Sequence, residues 1–210
     1  MELGNLALFF AAALAIAVSP GPGLLYVAAR TLAGGRTEGL ASSFGTSVGG
    51  LVHVAAGAIG VSAVILASAE AFTVLKLGGA AYLVWLGVKT FRESGIAVDV
   101  RVEATGARRA FREGIVVEAL NPKTAAFFLA FLPQFVDPAA GQVWLQFVLL
   151  GLVSVTLNTA ADVVVSVLAG RARSAAIARP TLLRRLRQGS GLLIGSLGLS
   201  LLFARRPAAL

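Results

Sequence analysis

Apolar residues fall along this chain in long blocks separated by short polar stretches. Six blocks approach membrane-spanning length: Leu6–Ala29, Leu40–Ala67, Ala71–Phe91, Phe111–Phe135, Val143–Ala169 and Ser190–Ala204. A helix needs about 20 such residues to cross a bilayer, so each block predicts one span. The sixth is short; it begins earlier, around Leu182, or thins the bilayer locally. The pattern predicts an all-α polytopic membrane protein with one transmembrane domain over residues 1–210.

Two blocks carry helix breakers. The first holds Ser19-Pro20-Gly21-Pro22-Gly23 and the fourth holds Asn121-Pro122-Lys123. Proline lacks a backbone donor and clashes with the preceding turn, so both helices are expected to break there. Unpaired backbone in hydrocarbon costs several kcal/mol, so a break survives only inside protein or beside a wet cavity. Paired breaks in corresponding segments point to a transport site.

Pro20 and Pro122 lie 102 residues apart, and each follows a small polar residue. Three spans per half would insert the second half upside down relative to the first. The expectation is two inverted three-helix repeats, about 1–92 and 111–210, joined by a cytoplasmic linker over about 93–110.

Composition agrees with a membrane location. Of the 210 residues 57% are hydrophobic and 13% are charged, with mean hydropathy +0.85. The first block follows Glu2, without a basic leader region, and reads as an uncleaved span. The absence of cysteine excludes thiolate chemistry, and a single histidine excludes a multi-histidine metal cluster. No hydrolase elbow, zinc-protease motif or phosphate loop is present, so neither enzyme nor cofactor is expected.

The net charge of +8 sits mostly between spans, which fits membrane orientation better than nucleic acid. Fourteen of the 18 basic residues, among them Arg30, Arg36, Arg108, Arg109 and Arg112, fall in the three connections that share one side. The positive-inside rule makes that side cytoplasmic and puts both termini outside; Arg205 and Arg206 oppose this but are outnumbered. The stretch from Arg171 to Arg187 reads equally as an amphipathic segment on anionic lipid or as a solvated loop.

Several polar side chains fall inside the spans. Asp162 is an intramembrane carboxylate, by default a functional group, and suits a proton carrier. Asn158 lies one turn earlier on the same face. Lys123 needs a partner, Asp162 or Glu118, or else meets a substrate carboxylate. Glu118 and His53 are further proton-handling candidates; each also has a plain reading, as a water-facing carboxylate and a helix–helix hydrogen bond. Broken helix ends present amides to a carboxylate and carbonyls to an ammonium, so Ser19 to Gly23 with Asn121 to Lys123 and Asn158 are the expected substrate site for a zwitterion. Gly45 with Gly49, and Gly191 with Gly195, allow close helix contact within the chain or across a homodimer. A non-transporting membrane scaffold is the competing class; it would need no polar cavity.

The ordered set Ser19-Pro20-Gly21-Pro22, Gly34-Gly35-Arg36, Leu75-Lys76-Leu77-Gly78-Gly79 to Gly87, Phe111-Arg112-Glu113-Gly114, Asn121-Pro122-Lys123 and Pro133-Gln134-Phe135 resembles the LysE/RhtB family of amino-acid exporters. The resemblance covers nearly the whole chain. It implies an inner-membrane efflux carrier for amino acids or related metabolites, driven by the proton gradient. One departure is Glu118, where a neutral residue, often an amide, is usual in that family.

Overall fold

The computed structural model describes residues 3–95, 103–171 and 180–203, and these form helices and short connections. The helices are α1 (Leu3–Val18), α2 (Pro22–Ala56), α3 (Ser62–Ala67), α4 (Ala69–Arg92), α5 (Ala107–Ala119), α6 (Pro122–Ala126), α7 (Val143–Arg171) and α8 (Pro180–Phe203). Wide π turns at Gly57–Val61 and Phe127–Phe131 follow α2 and α6. Parts of the expected linker, of the Arg171–Arg187 stretch and of the C-terminal tail with Arg205 and Arg206 lie outside the described residues.

Both expected breaks are present. α1 stops at Val18 and α2 starts at Pro22, whose missing donor suits a first helical position. α5 stops at Ala119 and α6 starts at Pro122, with the Asn121 carboxamide accepting from the Lys123 amide as an N-cap. The two segments around the second break are bent by 40°.

α2 is continuous only in its hydrogen bonding. Gly35 has φ 75° and ψ −169°, in the left-handed region that glycine tolerates. Side chains on Gly23 and on Gly49 would each run into Glu118. In a straight helix those two glycines would be about 39 Å apart. The chain therefore doubles back at Gly35, and α2 is a hairpin of two limbs, 22–34 and 36–56. This one-residue reversal replaces the expected loop between the first two blocks.

The limbs pair across the halves. The segment 3–34 runs beside 107–135: Phe9 meets Phe135, Lys123 meets Ile16 and Ser19, and Arg30 meets Thr105. Those pairings fall in reverse order, so the two broken segments are antiparallel with their breaks at one level. The limb 36–56 and the π turn after it run antiparallel to α7, from Ser43 against Ser166 to Gly57 against Phe147. α4 runs antiparallel to α8, where a side chain on Gly87 would strike the Gly191 backbone.

Glycine makes the closest of these approaches. A Cβ on Gly45 would overlap the Phe111 carbonyl, and one on Gly49 would press on the Ile115 carbonyl. Gly45, Gly49 and Gly191 are thus used for contacts within the chain, whereas a Cβ on Gly195 would meet nothing among the described residues. The apolar core gathers at one end around Phe9, Phe127, Phe128, Phe131, Phe135 and Phe147, with rings packed at 5.2 to 6.4 Å between centroids.

Among the described residues three helical stretches are long and apolar enough to cross a membrane, or four if the bent pair counts as one span. The chain is a multi-pass membrane protein. The first of the three, Pro22–Ile65, includes the Gly35 hairpin. α1 has 16 residues and falls short of a span without the limb beyond its break. α8 carries Arg184, Arg185 and Arg187 in its early turns, so only its later part is apolar.

Candidate functional site

The two breaks meet at a group of buried polar side chains. Glu118, from the last turn of α5, is 3% exposed. Its Oε2 accepts from Asn121 Nδ2 at 2.9 Å, and its Oε1 accepts from Thr124 Oγ1 at 2.6 Å and Asn158 Nδ2 at 3.5 Å. The carboxylate also lies against Gly23 at the start of α2, which has no side-chain cap. Negative charge is favourable there because the first amides of a helix point outward unpaired. The water-facing alternative for Glu118 does not hold.

Lys123 complements this arrangement. Its ammonium donates to the carbonyls of Ile16 and Ser19, both at 2.9 Å. These carbonyls lie at the end of α1, where the helix leaves acceptors without partners. The expected ion pair with Glu118 or Asp162 is not made; backbone carbonyls take the ammonium instead. Two charged side chains of the second break thus serve the two loose ends of the first. The Ser19 hydroxyl is buried beside them with no partner among the described residues.

The other candidates surround the same place. The His53 Nε2 lies 2.9 Å from the Glu118 carbonyl, and its ring packs on Phe128 at 5.8 Å. Asp162 is 6% exposed, and its Oδ2 accepts from Thr46 Oγ1 at 2.7 Å. One turn on, Ser166 bonds back to the Asp162 carbonyl and meets Ser43 across the helix pair. Asp162, Asn158, Thr159, Thr124, Thr46, Ser47 and Phe128 line a narrow pocket, completed by Gly50 and Val155. Its space is about 10 Å³, enough for about one water and too small for an amino acid. Ser19, Pro20, Gly21, Pro22, Gly23, Asn121, Pro122 and Lys123 do not line this pocket; they form the adjoining floor around the breaks. Pro22 itself is exposed.

A second cluster was not foreseen from the sequence. Arg30, counted above as a loop arginine, is 8% exposed and joins Glu38, Tyr26, Thr105 and Glu113. Its signal was faint but present: Arg30 and Glu38 flank the Gly34-Gly35 turn, so a reversal there brings opposite charges together. Among the described residues no group of three metal-ligating side chains exists.

A bent pair of broken helices, crossing side by side and enclosing buried charge, defines a solute carrier better than a catalyst. Comparison with known proteins agrees. The family model described as LysE type translocator matches residues 14–205, and the chain belongs to that family. It is a transporter, not an enzyme. A homoserine/homoserine lactone efflux protein of Salmonella typhimurium is 33% identical over 68% of this chain and 69% of its own. A leucine efflux protein of Salmonella choleraesuis is 27% identical over 68% of each chain. An uncharacterized membrane protein of Vibrio cholerae is 32% identical over 70% of this chain and 71% of its own. No solved structure matches the chain.

Proposed function

We propose that this protein exports amino acids or closely related small metabolites across the bacterial inner membrane, in exchange for protons. The observation that carries the reading is the meeting of Asp162 and Asn158 in one pocket beside two interrupted helices, with Asn158 donating to the Glu118 carboxylate at 3.5 Å. Buried carboxylates in a membrane are costly and need a positive partner; a substrate ammonium or a proton supplies one in turn. Asp162 is the exchanging group, because Glu118 already has three donors and Asp162 has one. The substrate is held against Asn158, Thr159 and Asp162, and the Ser19 to Gly23 and Asn121 to Lys123 breaks give the floor its polarity. The names of the Salmonella relatives support an amino-acid substrate.

The antiparallel pairing of 3–34 with 107–135, of 36–61 with α7 and of α4 with α8 supports six spans in two inverted repeats within one domain. Rocking of one half on the other then alternates access. The arginine-rich connections face the cytoplasm, and both termini face outward. The scaffold alternative fits less well, since it gives no reason for Asn121, Asn158 and Asp162 to converge inside the helix pack. The function is tested by loading cells with candidate dipeptides and measuring which amino acids leave faster when the protein is present. Equal excretion with and without it, for every amino acid, would remove the proposal.

A further inference from the structure

We propose that Arg30 is a carboxylate-binding site on the face of the arginine-rich connections, where an incoming carboxylate displaces Glu113 and loosens the α2–α5 contact. The proposal rests on the export reading for the identity of that carboxylate, but not for its geometry.

Arg30 stands in the first limb of α2, near the Gly35 reversal, and is 8% exposed. Its Nη1 donates to the Glu103 carbonyl at 3.1 Å and to Thr105 Oγ1 at 2.8 Å. Its Nη2 donates to Glu113 Oε2 at 2.8 Å. Its Nε is buried and donates to no group among the described residues. A carboxylate meets guanidinium best with both oxygens on two parallel N–H groups. Glu113 cannot do this along the Nε edge, because its other oxygen accepts from Arg109 Nε at 2.7 Å. A separate carboxylate laid along Nε and Nη2 would satisfy the orphaned donor as well as the one Glu113 now takes. Unmet buried donors are costly, so the exchange is favourable at this edge.

The place is reachable and its displacement has consequences. The Glu113 side chain is 32% exposed, so water and solutes reach the pair. Arg108, Arg109 and Arg112 surround an open hollow of about 440 Å³ next to it, which raises the local concentration of anions. The single Tyr26 hydroxyl proton is shared between the Ala110 carbonyl at 2.9 Å and Glu113 Oε2 at 3.1 Å. Glu38, from the second limb, accepts from the Thr105 and Gly106 amides at 2.8 and 2.6 Å. Its Oε2 is buried without a hydrogen bond among the described residues and lies 3.8 Å from Arg30. Arg30 thus fastens the limb 22–34, the second limb, the 103–106 stretch and α5 to one another. Releasing Glu113 unfastens α5 from the first limb.

The chain has no cysteine, so one reporter thiol is unambiguous. Ala110 is fully buried behind the cluster, and Ala110→Cys reports whether α5 lifts. Its labelling by a membrane-impermeant maleimide is followed on reconstituted full-length protein from the arginine-rich face. The additions are a mixture of the twenty common amino acids and a matched mixture of their amides. The expected result is that the acids speed labelling about fivefold or more, a usual size for coupling between sites, and that the amides do not. Arg30→Lys, which keeps the charge but loses the two-donor edge, is expected to abolish that acceleration. Glu113→Gln is expected to raise the resting rate without any addition. Equal acceleration by acids and amides, or no acceleration in a chain that exports amino acids normally, would overturn the proposal. Acceleration by acids in a chain that exports none would leave this site standing and sink the export reading instead. If Arg30→Lys does not fold, the contrast between acids and amides still decides.

Discussion

The Lys123 ammonium of the second break lies 2.9 Å from the Ser19 carbonyl of the first, with the Ile16 carbonyl as its other partner. A lysine buried at this depth is expensive unless its donors are met. Here two of its three are met by acceptors that the end of α1 would otherwise leave bare. One side chain therefore settles two separate problems, a buried cation and a broken helix, and binds the two halves together.

Lys123→Met keeps the volume and removes the donor. It is expected to destabilise the protein by about 3 kcal/mol, since charge-assisted hydrogen bonds are each worth about 1.5–3 kcal/mol. Thermal unfolding in detergent checks this. A melting temperature equal to that of the parent would show that the ends of α1 need no cap.

Glu118 is expected to separate two substitutions by stability. Glu118→Ala strands the Asn121 amide and the Thr124 hydroxyl, both buried, at about 1–3 kcal/mol each. Glu118→Gln keeps one acceptor and costs less. The ranking is read from melting temperatures, and Gln below Ala would contradict it.

Close approach of α2 and α5 depends on Gly45. In Gly45→Leu the new side chain meets the Phe111 backbone, which has no rotamer to yield. Overpacking of this kind costs about 1–3 kcal/mol. The expected outcome is a lower melting temperature and reduced yield from membranes. Gly78→Leu is the control, since nothing lies near a Cβ there, and is expected to behave as the parent.

His53 lies against the Glu118 carbonyl rather than in an ion pair. His53→Gln retains a donor, so it is expected to keep both efflux and its dependence on pH. His53→Leu loses the donor and is expected to lower stability. A shift in the pH profile with His53→Gln would move the histidine into proton handling.

The sequence carried the breaks because proline and glycine act locally: Pro22 and Pro122 begin helices wherever the chain goes afterwards. It carried Asp162 and Asn158 for a similar reason, since a polar residue in an apolar block is visible without any partner. Partners were not visible. Lys123 was assigned to a carboxylate and went to carbonyls, because backbone acceptors are absent from any list of side chains. Arg30 was read by count, as one of many loop charges, whereas its burial follows from the reversal at Gly35. The turn in α2 shows the same limit: the apolar pattern predicts a connection between the first two blocks, but not that a single residue with φ of 75° makes it.

The central claim is that Asp162 exchanges a proton for the substrate ammonium. Asp162→Asn keeps an acceptor for Thr46, so the fold is expected to survive. The measurement is amino-acid transport by proteoliposomes under an imposed proton gradient, parent against Asp162→Asn. Gradient-driven transport is expected in the parent and its loss in the folded variant; equal gradient-driven transport in both would contradict the account.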